Sequence, residues 1–170
     1  MPAPGERRSG VVIVVADTSP INYLIQIQCD DVLPQLCQTV VVPTAVVEEL
    51  RSPKAPAMVK VWMDHLPAWL EVRQLRSSPD LQLSYLGPGE REAIQLAEEQ
   101  PSSLLLIDER KGRSEARRRG LYTTGTLGVL LAASDAGLLD PAQAYRRLVQ
   151  ETTFRTSADL ESKFLNRFLP

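Results

Sequence analysis

The chain has 170 residues, of which 44% are hydrophobic and 24% are charged, and its net charge is −2. This is the size of one domain and the composition of a globular protein that can bury a core. We predict a loose N-terminal tail over residues 1–10 and a single domain over residues 11–170. No apolar stretch reaches the roughly 20 residues that span a bilayer, and two cysteines are too few for a disulfide framework. We therefore expect a cytoplasmic protein with free thiols.

The first predicted element is a buried strand at residues 11–16, which are apolar and mostly β-branched. A helix is predicted to follow, with Ser19 as its N-cap and Pro20 at its first position. Asp17 is therefore placed at the carboxyl end of a central strand, where open α/β sheets bind ligands. Taken alone, Asp17 favours the interpretation as an ordinary turn residue.

Strands and helices alternate along the rest of the chain. Further strands are predicted at residues 39–42, 69–75, 104–107 and 121–124, and the alternating pattern of residues 69–75 indicates a strand near the sheet edge. Helices are predicted at residues 20–28, 30–36, 45–51, 57–66, 90–100, 110–119, 127–136, 141–151 and 158–168. Three residues are predicted to cap helices: Thr44, Thr126 and Ser157. This order predicts an α/β fold, a three-layer α/β/α sandwich with a central parallel sheet.

Acidic residues follow several of these strands. Asp17 and Asp108 each end an apolar strand, so a parallel sheet brings both to one edge. Glu90 begins a helix after a Gly-Pro-Gly break, and Glu49, or alternatively Glu48, lies on the helix after the second strand. Four carboxylates in one place raise one another's pKa and destabilise the fold, unless a hard cation such as Mg²⁺ or Mn²⁺ binds there. Each acid alone also has a structural explanation, as a turn residue, a helix-dipole partner or a solvated side chain.

Five short motifs occur in order along the chain. They are Asp17-Thr18-Ser19-Pro20, Val47-Glu48-Glu49-Leu50, Gly89-Glu90-Arg91-Glu92-Ala93-Ile94, Leu106-Ile107-Asp108 and Gly125-Thr126-Leu127-Gly128. Together these motifs resemble the PIN-domain family, in particular its prokaryotic branch related to VapC-type toxins. The resemblance covers about residues 11–135.

The resemblance implies a PIN-like α/β/α fold and a Mg²⁺- or Mn²⁺-dependent endoribonuclease whose cleavage leaves a 5′-phosphate. Carried over position by position, it assigns the catalytic and metal-binding acids as Asp17, Glu49, Glu90 and Asp108. Many relatives have Asp at the third of these positions, so Glu92 is an alternative to Glu90, and Glu109 is a further candidate. The resemblance also implies a cognate antitoxin protein that covers the acidic groove, and we expect a homodimer.

A basic helix follows Asp108. Residues 110–119 contain six basic residues and one acid, a local charge of +5 that leaves −7 for the rest of the chain. Arg110, Arg113 and Arg117 share one face of this helix and are predicted to bind RNA phosphates without sequence selectivity. Alternatively, the helix is a solvated face or docks an acidic partner segment. Three hydroxyl residues are expected to position water or substrate: Thr18, Ser19 and Thr124.

The predicted chemistry is phosphodiester hydrolysis by a cation-activated water. The alternative function is a catalytically inactive PIN-like module that binds RNA or protein, although such a module has no reason to keep a costly acidic cluster. A phosphoaspartate enzyme of the haloacid-dehalogenase type needs a second Asp two residues after Asp17, where this chain has Ser19. The C-terminal amphipathic segments are predicted to complete the core or, alternatively, to form a dimer surface.

Overall fold

A parallel sheet of five strands lies at the centre of this computed structural model, which describes residues 13–101 and 103–168. The strands are β1 (Ile13–Ala16), β2 (Thr39–Pro43), β3 (Leu70–Arg73), β4 (Leu104–Leu106) and β5 (Tyr122–Thr124). Their order in the sheet is β3-β2-β1-β4-β5. Because the connections run to opposite sides of β1, the boundary between β1 and β4 is a topological switch point. The predicted tail and the predicted strand residues 11–12 lie outside the described residues.

Helices connect the strands and cover both faces of the sheet. In the described part of the chain they are α1 (Thr18–Gln26), α2 (Leu33–Leu36), α3 (Thr44–Leu50), α4 (Ala57–Asp64), α5 (Pro88–Glu99), α6 (Arg110–Arg118), α7 (Thr126–Asp135), α8 (Pro141–Glu151) and α9 (Ala158–Phe168). Single 3₁₀ turns lie at Asp30–Val32 and Leu81–Leu83. The predicted three-layer α/β/α sandwich with a central parallel sheet is confirmed.

Strand β1 is buried on both faces, as its run of β-branched residues predicts. Val14 and Ala16 face the larger apolar core, which α1, α7 and α8 complete, whereas Val15 faces a second core built with α5. Strand β3 is at an edge of the sheet, as its alternating sequence predicts, and Glu71 and Val72 on it are exposed. The central position of β1 places the residue that follows it at the switch point.

The C-terminal helices contribute mainly to the core. Tyr145, Leu148 and Phe164 are buried, and the rings of Tyr145 and Phe164 are 5.0 Å apart between centroids. Val149 and Leu160 are exposed by about 40%. The core interpretation of these segments is therefore confirmed, and a dimer surface stays a prediction.

The predicted caps of three helices are wrong. Helix α1 begins at Thr18 with Asp17 in the cap position, so Ser19 lies in its first turn. Helices α3 and α7 begin at Thr44 and Thr126 themselves, because Pro43 and Gly125 take the extended cap conformation before them. The cap at Ser157 is confirmed, since its Oγ accepts from the backbone N–H of Leu160 at 3.2 Å.

Two further predictions concern the cysteines and membrane-spanning segments. Cys29 and Cys37 are free thiols, as predicted. Within residues 13–101 and 103–168, no helix combines the length and apolar character needed to cross a membrane.

Candidate active site

Asp17 lies at the switch point, directly after β1. Its backbone N–H donates to the carbonyl oxygen of Leu106 at 2.9 Å, which joins the ends of β1 and β4. The Asp17 side chain is only 3% exposed, and its Oδ1 has no hydrogen-bond partner in the described part of the chain. A buried carboxylate oxygen without a partner is costly, and it is the kind of oxygen that a hard cation binds.

The charges of the other three acids that the sequence singles out all reach Asp17. Burial raises the pKa of Asp17 from its ordinary value of 3.8 to about 7, and the backbone N–H of Thr18 opposes this in part. The negative charges of Glu90, Glu49 and Asp108 raise the pKa of Asp17 further. The predicted convergence of these acids is thus present in the structure, and their roles as metal ligands or catalytic groups stay a prediction.

Asp108 follows β4 and is held by the start of α7. The backbone N–H of Thr126 donates to Asp108 Oδ1 at 2.7 Å, and the Thr126 hydroxyl donates to Oδ2 at 2.6 Å. Burial raises the pKa of Asp108, while the bonds from Thr126 and the charge of Arg113 lower it. A Cβ at Gly125 would lie 2.8 Å from Asp108 Oδ1, so only glycine fits there without a shift. Sequence reasoning assigned Thr126 to a local cap and missed this contact.

Glu49 is half-buried on α3 and is held by α1 and α5. Its Oε1 accepts from the backbone N–H of Gly89 at 2.8 Å, and its Oε2 accepts from the Thr18 hydroxyl in a short hydrogen bond. A Cβ at Gly89 would lie 2.5 Å from Glu49 Oε2 and 2.8 Å from Thr18 Oγ1. Glu48 is exposed, so the choice of Glu49 over Glu48 is the one that fits the geometry.

Glu90 and Glu92 have different surroundings. Glu90 is half-buried in the first turn of α5, where burial and the charges of Glu109 and Glu49 raise its pKa. Glu92 Oε2 instead accepts from the backbone N–H of Ala45 at 2.9 Å, at the start of α3. Glu92 thereby satisfies one of the unpaired N–H groups that begin a helix, and Glu90 is the acid that faces the cluster.

The basic helix α6 contributes two cations to this edge. The charge of Arg113 acts on Asp108, and the charge of Lys111, which sequence reasoning did not select, acts on Glu90. Arg110 is exposed at the first position of α6, and Arg117 Nε donates to Thr123 Oγ1 at 3.2 Å. The predicted contacts of Arg110, Arg113 and Arg117 with RNA stay a prediction.

The three predicted hydroxyl residues are placed differently. The Thr18 hydroxyl is engaged with Glu49, and Ser19 is half-buried in the first turn of α1. Thr124 ends β5 and packs toward α7, where a Cβ on Gly128 would overlap its hydroxyl oxygen. Of the three, Thr18 is the one in contact with an acid of the cluster.

The acidic cluster fits a hydrated cation better than a fully coordinated one. Within residues 13–101 and 103–168, no group of three or more Asp, Glu, His or Cys side chains is arranged to hold a metal ion directly. Mg²⁺ usually keeps several waters and binds through one or two carboxylates. The unpartnered Oδ1 of Asp17 provides one such ligand.

The parallel α/β/α sandwich with an acidic cluster at its switch point has the fold of the PIN-domain nucleases. The sequence matches the family described as "DUF3368: PIN domain" over residues 13–169, and the chain belongs to this PIN-domain family. It is also similar to a solved structure titled "Structure of the PIN domain endonuclease Utp24". The TM-score is 0.50 and the identity 14%, over 66% of this chain and 84% of that chain, so the likeness concerns the fold alone. No curated protein matches the chain.

Proposed function

We propose that this chain is a Mg²⁺- or Mn²⁺-dependent endoribonuclease of the prokaryotic VapC-like branch and the toxin of a toxin–antitoxin pair. The observation that carries the nuclease proposal is Asp17, a buried carboxylate whose pKa the charges of three other acids raise and whose Oδ1 lacks a partner. A protein gains nothing in stability from such a group, whereas a bound cation makes it favourable. The choice of RNA and the toxin role rest on the motif resemblance.

In the proposed mechanism, Asp17 and Asp108 would hold the cation, and Glu49 and Glu90 would contact it directly or through water. When bound, the cation lowers the pKa of a water molecule and neutralises charge on the phosphate. Glu90, in the first turn of α5 beside the cluster, is the acid we assign to accept the proton of the attacking water. Arg113 and Lys111, beside Asp108 and Glu90, attract the RNA phosphates to an edge that is otherwise acidic.

The proposed partners follow from the same function. A cognate antitoxin would cover the acidic groove, and exposed Val149 and Leu160 on α8 and α9 are candidates for a homodimer contact. The enzyme would act in the cytoplasm, on its RNA substrate.

The test is Mn²⁺-dependent cleavage of RNA by the wild type and by the double variant Asp17→Asn with Asp108→Asn. We expect cleavage by the wild type, none by the double variant, and wild-type cleavage by Glu48→Gln, an exposed neighbour of the cluster that serves as control. Equal cleavage by the wild type and the double variant would reject the assigned site. If the wild type neither cleaves RNA nor gains thermal stability from Mn²⁺, the inactive binding module is the correct function.

A further inference from the structure

A cavity of about 200 Å³ opens beside the acidic cluster, between α1, α3 and the start of α4. Two residues of the cluster, Thr18 and Glu49, form one of its walls. The remaining lining includes Asn22, Leu50, Ser52, Lys54 and Val59. The cavity and the acidic cluster are therefore adjacent compartments with a shared wall.

The two sides of this cavity differ in chemistry. The apolar residues Ala55 and Pro56 on its lining are half-buried and keep accessible surface, whereas Leu50 and Val59 are fully buried. Asn22 lies one helical turn after Thr18 on α1, and its amide oxygen accepts from the Gln26 side chain at 3.0 Å. Because that oxygen is engaged, the NH₂ group of Asn22 is the part that can donate to a ligand.

The chain segment between α3 and α4 places a positively charged residue, Lys54, at this cavity. The backbone N–H of Lys54 donates to Ser52 Oγ at 3.2 Å, and Lys60 Nζ fixes the same segment by donating to the carbonyl oxygen of Pro53 at 2.6 Å. The Lys54 residue itself is exposed. Its ammonium group can therefore meet a phosphate without leaving the segment that lines the cavity.

These features match one nucleotide of a single strand. The volume is below the roughly 300–1,000 Å³ of sites for drug-sized ligands, which favours a single ring system over a larger molecule. Proteins recognise unstacked RNA bases by apolar contact with the ring and hydrogen bonds to its edge, and they bind the backbone with cations. Ala55 and Pro56 supply the first contact, Asn22 the second and Lys54 the third.

We infer that this cavity is a nucleobase subsite, which binds the base next to the phosphate to be cleaved and selects it through Asn22. The inference rests on the proposed function, because it takes the acidic cluster as the place of the scissile phosphate. A strand whose phosphate lies over Asp17 brings the neighbouring base to the far side of the Thr18–Glu49 wall. Lys54 then contacts the flanking phosphate. Asn22 sets base preference, and Lys54 adds affinity that is independent of sequence.

The experiment has a cleavage arm and a binding arm. In the cleavage arm, single-stranded RNAs with randomised sequence are cut in Mn²⁺, and the products are sequenced to give the base preference at each position beside the cut. In the binding arm, fluorescence anisotropy in EDTA measures four short RNAs that differ in one base, so that binding is read without cleavage. The variants are Asn22→Ala, the isosteric Asn22→Asp and Lys54→Ala. Asn166→Ala and Lys163→Ala, at exposed positions on α9, are the matched controls.

We expect the wild type to prefer one base by about tenfold, in line with a good hydrogen-bonded base contact. Asn22→Ala should remove most of this preference, and Asn22→Asp should shift it to another base, because a carboxylate accepts where the amide donates. Lys54→Ala should weaken binding of all four RNAs alike and reduce the slope of log affinity against log salt by about 0.7. The control variants should match the wild type in both arms.

Unchanged base preference in both Asn22 variants would overturn the subsite, and would direct attention to a partner-protein side chain as the occupant of the cavity. Equal binding of the four RNAs by the wild type would overturn it as well. Failure of the wild type to cleave RNA, together with base-selective binding that depends on Asn22, would instead reject the nuclease proposal and leave the base pocket in place.

Discussion

Replacing Asp17 by asparagine should stabilise the metal-free protein, in contrast to most substitutions of buried residues. Folding raises the pKa of Asp17 from 3.8 to about 7, so the folded chain holds a proton that the unfolded chain releases between these pH values. The free energy of unfolding therefore falls as the pH rises through this interval. A tenfold change in proton affinity corresponds to about 1.4 kcal/mol, so the free energy of unfolding falls by at most about 4 kcal/mol over this interval. Asparagine keeps the shape of the side chain and carries no charge.

The assay is urea denaturation of the wild type and Asp17→Asn in EDTA at several pH values. We expect the two proteins to be equally stable near pH 4, and the variant to be more stable by about 2–4 kcal/mol above pH 7. Asp64→Asn, at an exposed position on α4, is the control that should show no such divergence. A stability difference that does not change with pH, or a variant less stable than the wild type at about pH 8, would refute the reasoning.

Three further substitutions test the contacts that support the acidic cluster. Thr126→Val removes the hydrogen bond from the Thr126 hydroxyl to Asp108. It should lower the free energy of unfolding by about 1.5–3 kcal/mol in urea denaturation. Glu92→Ala removes the acceptor at the start of α3 and should cost about 0.5–2 kcal/mol in the same assay. Gly89→Ala places a Cβ 2.5 Å from a carboxylate oxygen of the cluster, and should reduce Mn²⁺-dependent cleavage by about 10- to 100-fold through misplacement of that acid.

Each of these predictions has a matched control. Thr126→Ser keeps the hydroxyl and should retain most of the stability, so equal losses in the Val and Ser variants would contradict the first prediction. Glu48→Ala removes an exposed acid from α3, the helix whose start Glu92 contacts, and should change stability little. Gly87→Ala adds a Cβ with no atom within 4 Å, so a loss of cleavage as large as that of Gly89→Ala would mean that close approach to Glu49 is not the cause.

The sheet and the positions of two acids were predictable because they depend on local patterns. Apolar runs identify β1 and β4, and parallel strands in a sheet place the residues that follow them at one edge. Asp17 and Asp108 are such residues, and the sequence alone brings them together. The alternation of strands and helices likewise predicts the layers that the structure shows.

The contacts that hold the acids were not predictable, because they join residues far apart in the chain. Thr126 has the sequence signature of a local cap, yet its hydroxyl donates to Asp108, 18 residues away. Glu92 acts at the start of α3, 47 residues from its partner. In each case a tertiary hydrogen bond replaces the local one that the residue type favours, and sequence spacing carries no signal for it.

The rotation of α6 about its axis and the cavity beside the acidic cluster could not be predicted from the sequence either. Helical periodicity shows which basic residues share a face of α6, but the packing of α6 on the sheet decides that Lys111 and Arg113 act on the acids. The cavity is formed by α1, α3 and the segment before α4, so no single motif encodes it.

The most direct test of the central claim is anomalous diffraction from crystals of the protein grown with saturating Mn²⁺. We predict a Mn²⁺ ion at the switch point between β1 and β4, held by Asp17 Oδ1 and Asp108, with water among its remaining ligands. Crystals of the Asp17→Asn variant should lack this ion. Well-ordered wild-type crystals with no anomalous peak at Asp17, or with Mn²⁺ bound only elsewhere, would contradict the assignment of this edge as a metal-dependent active site.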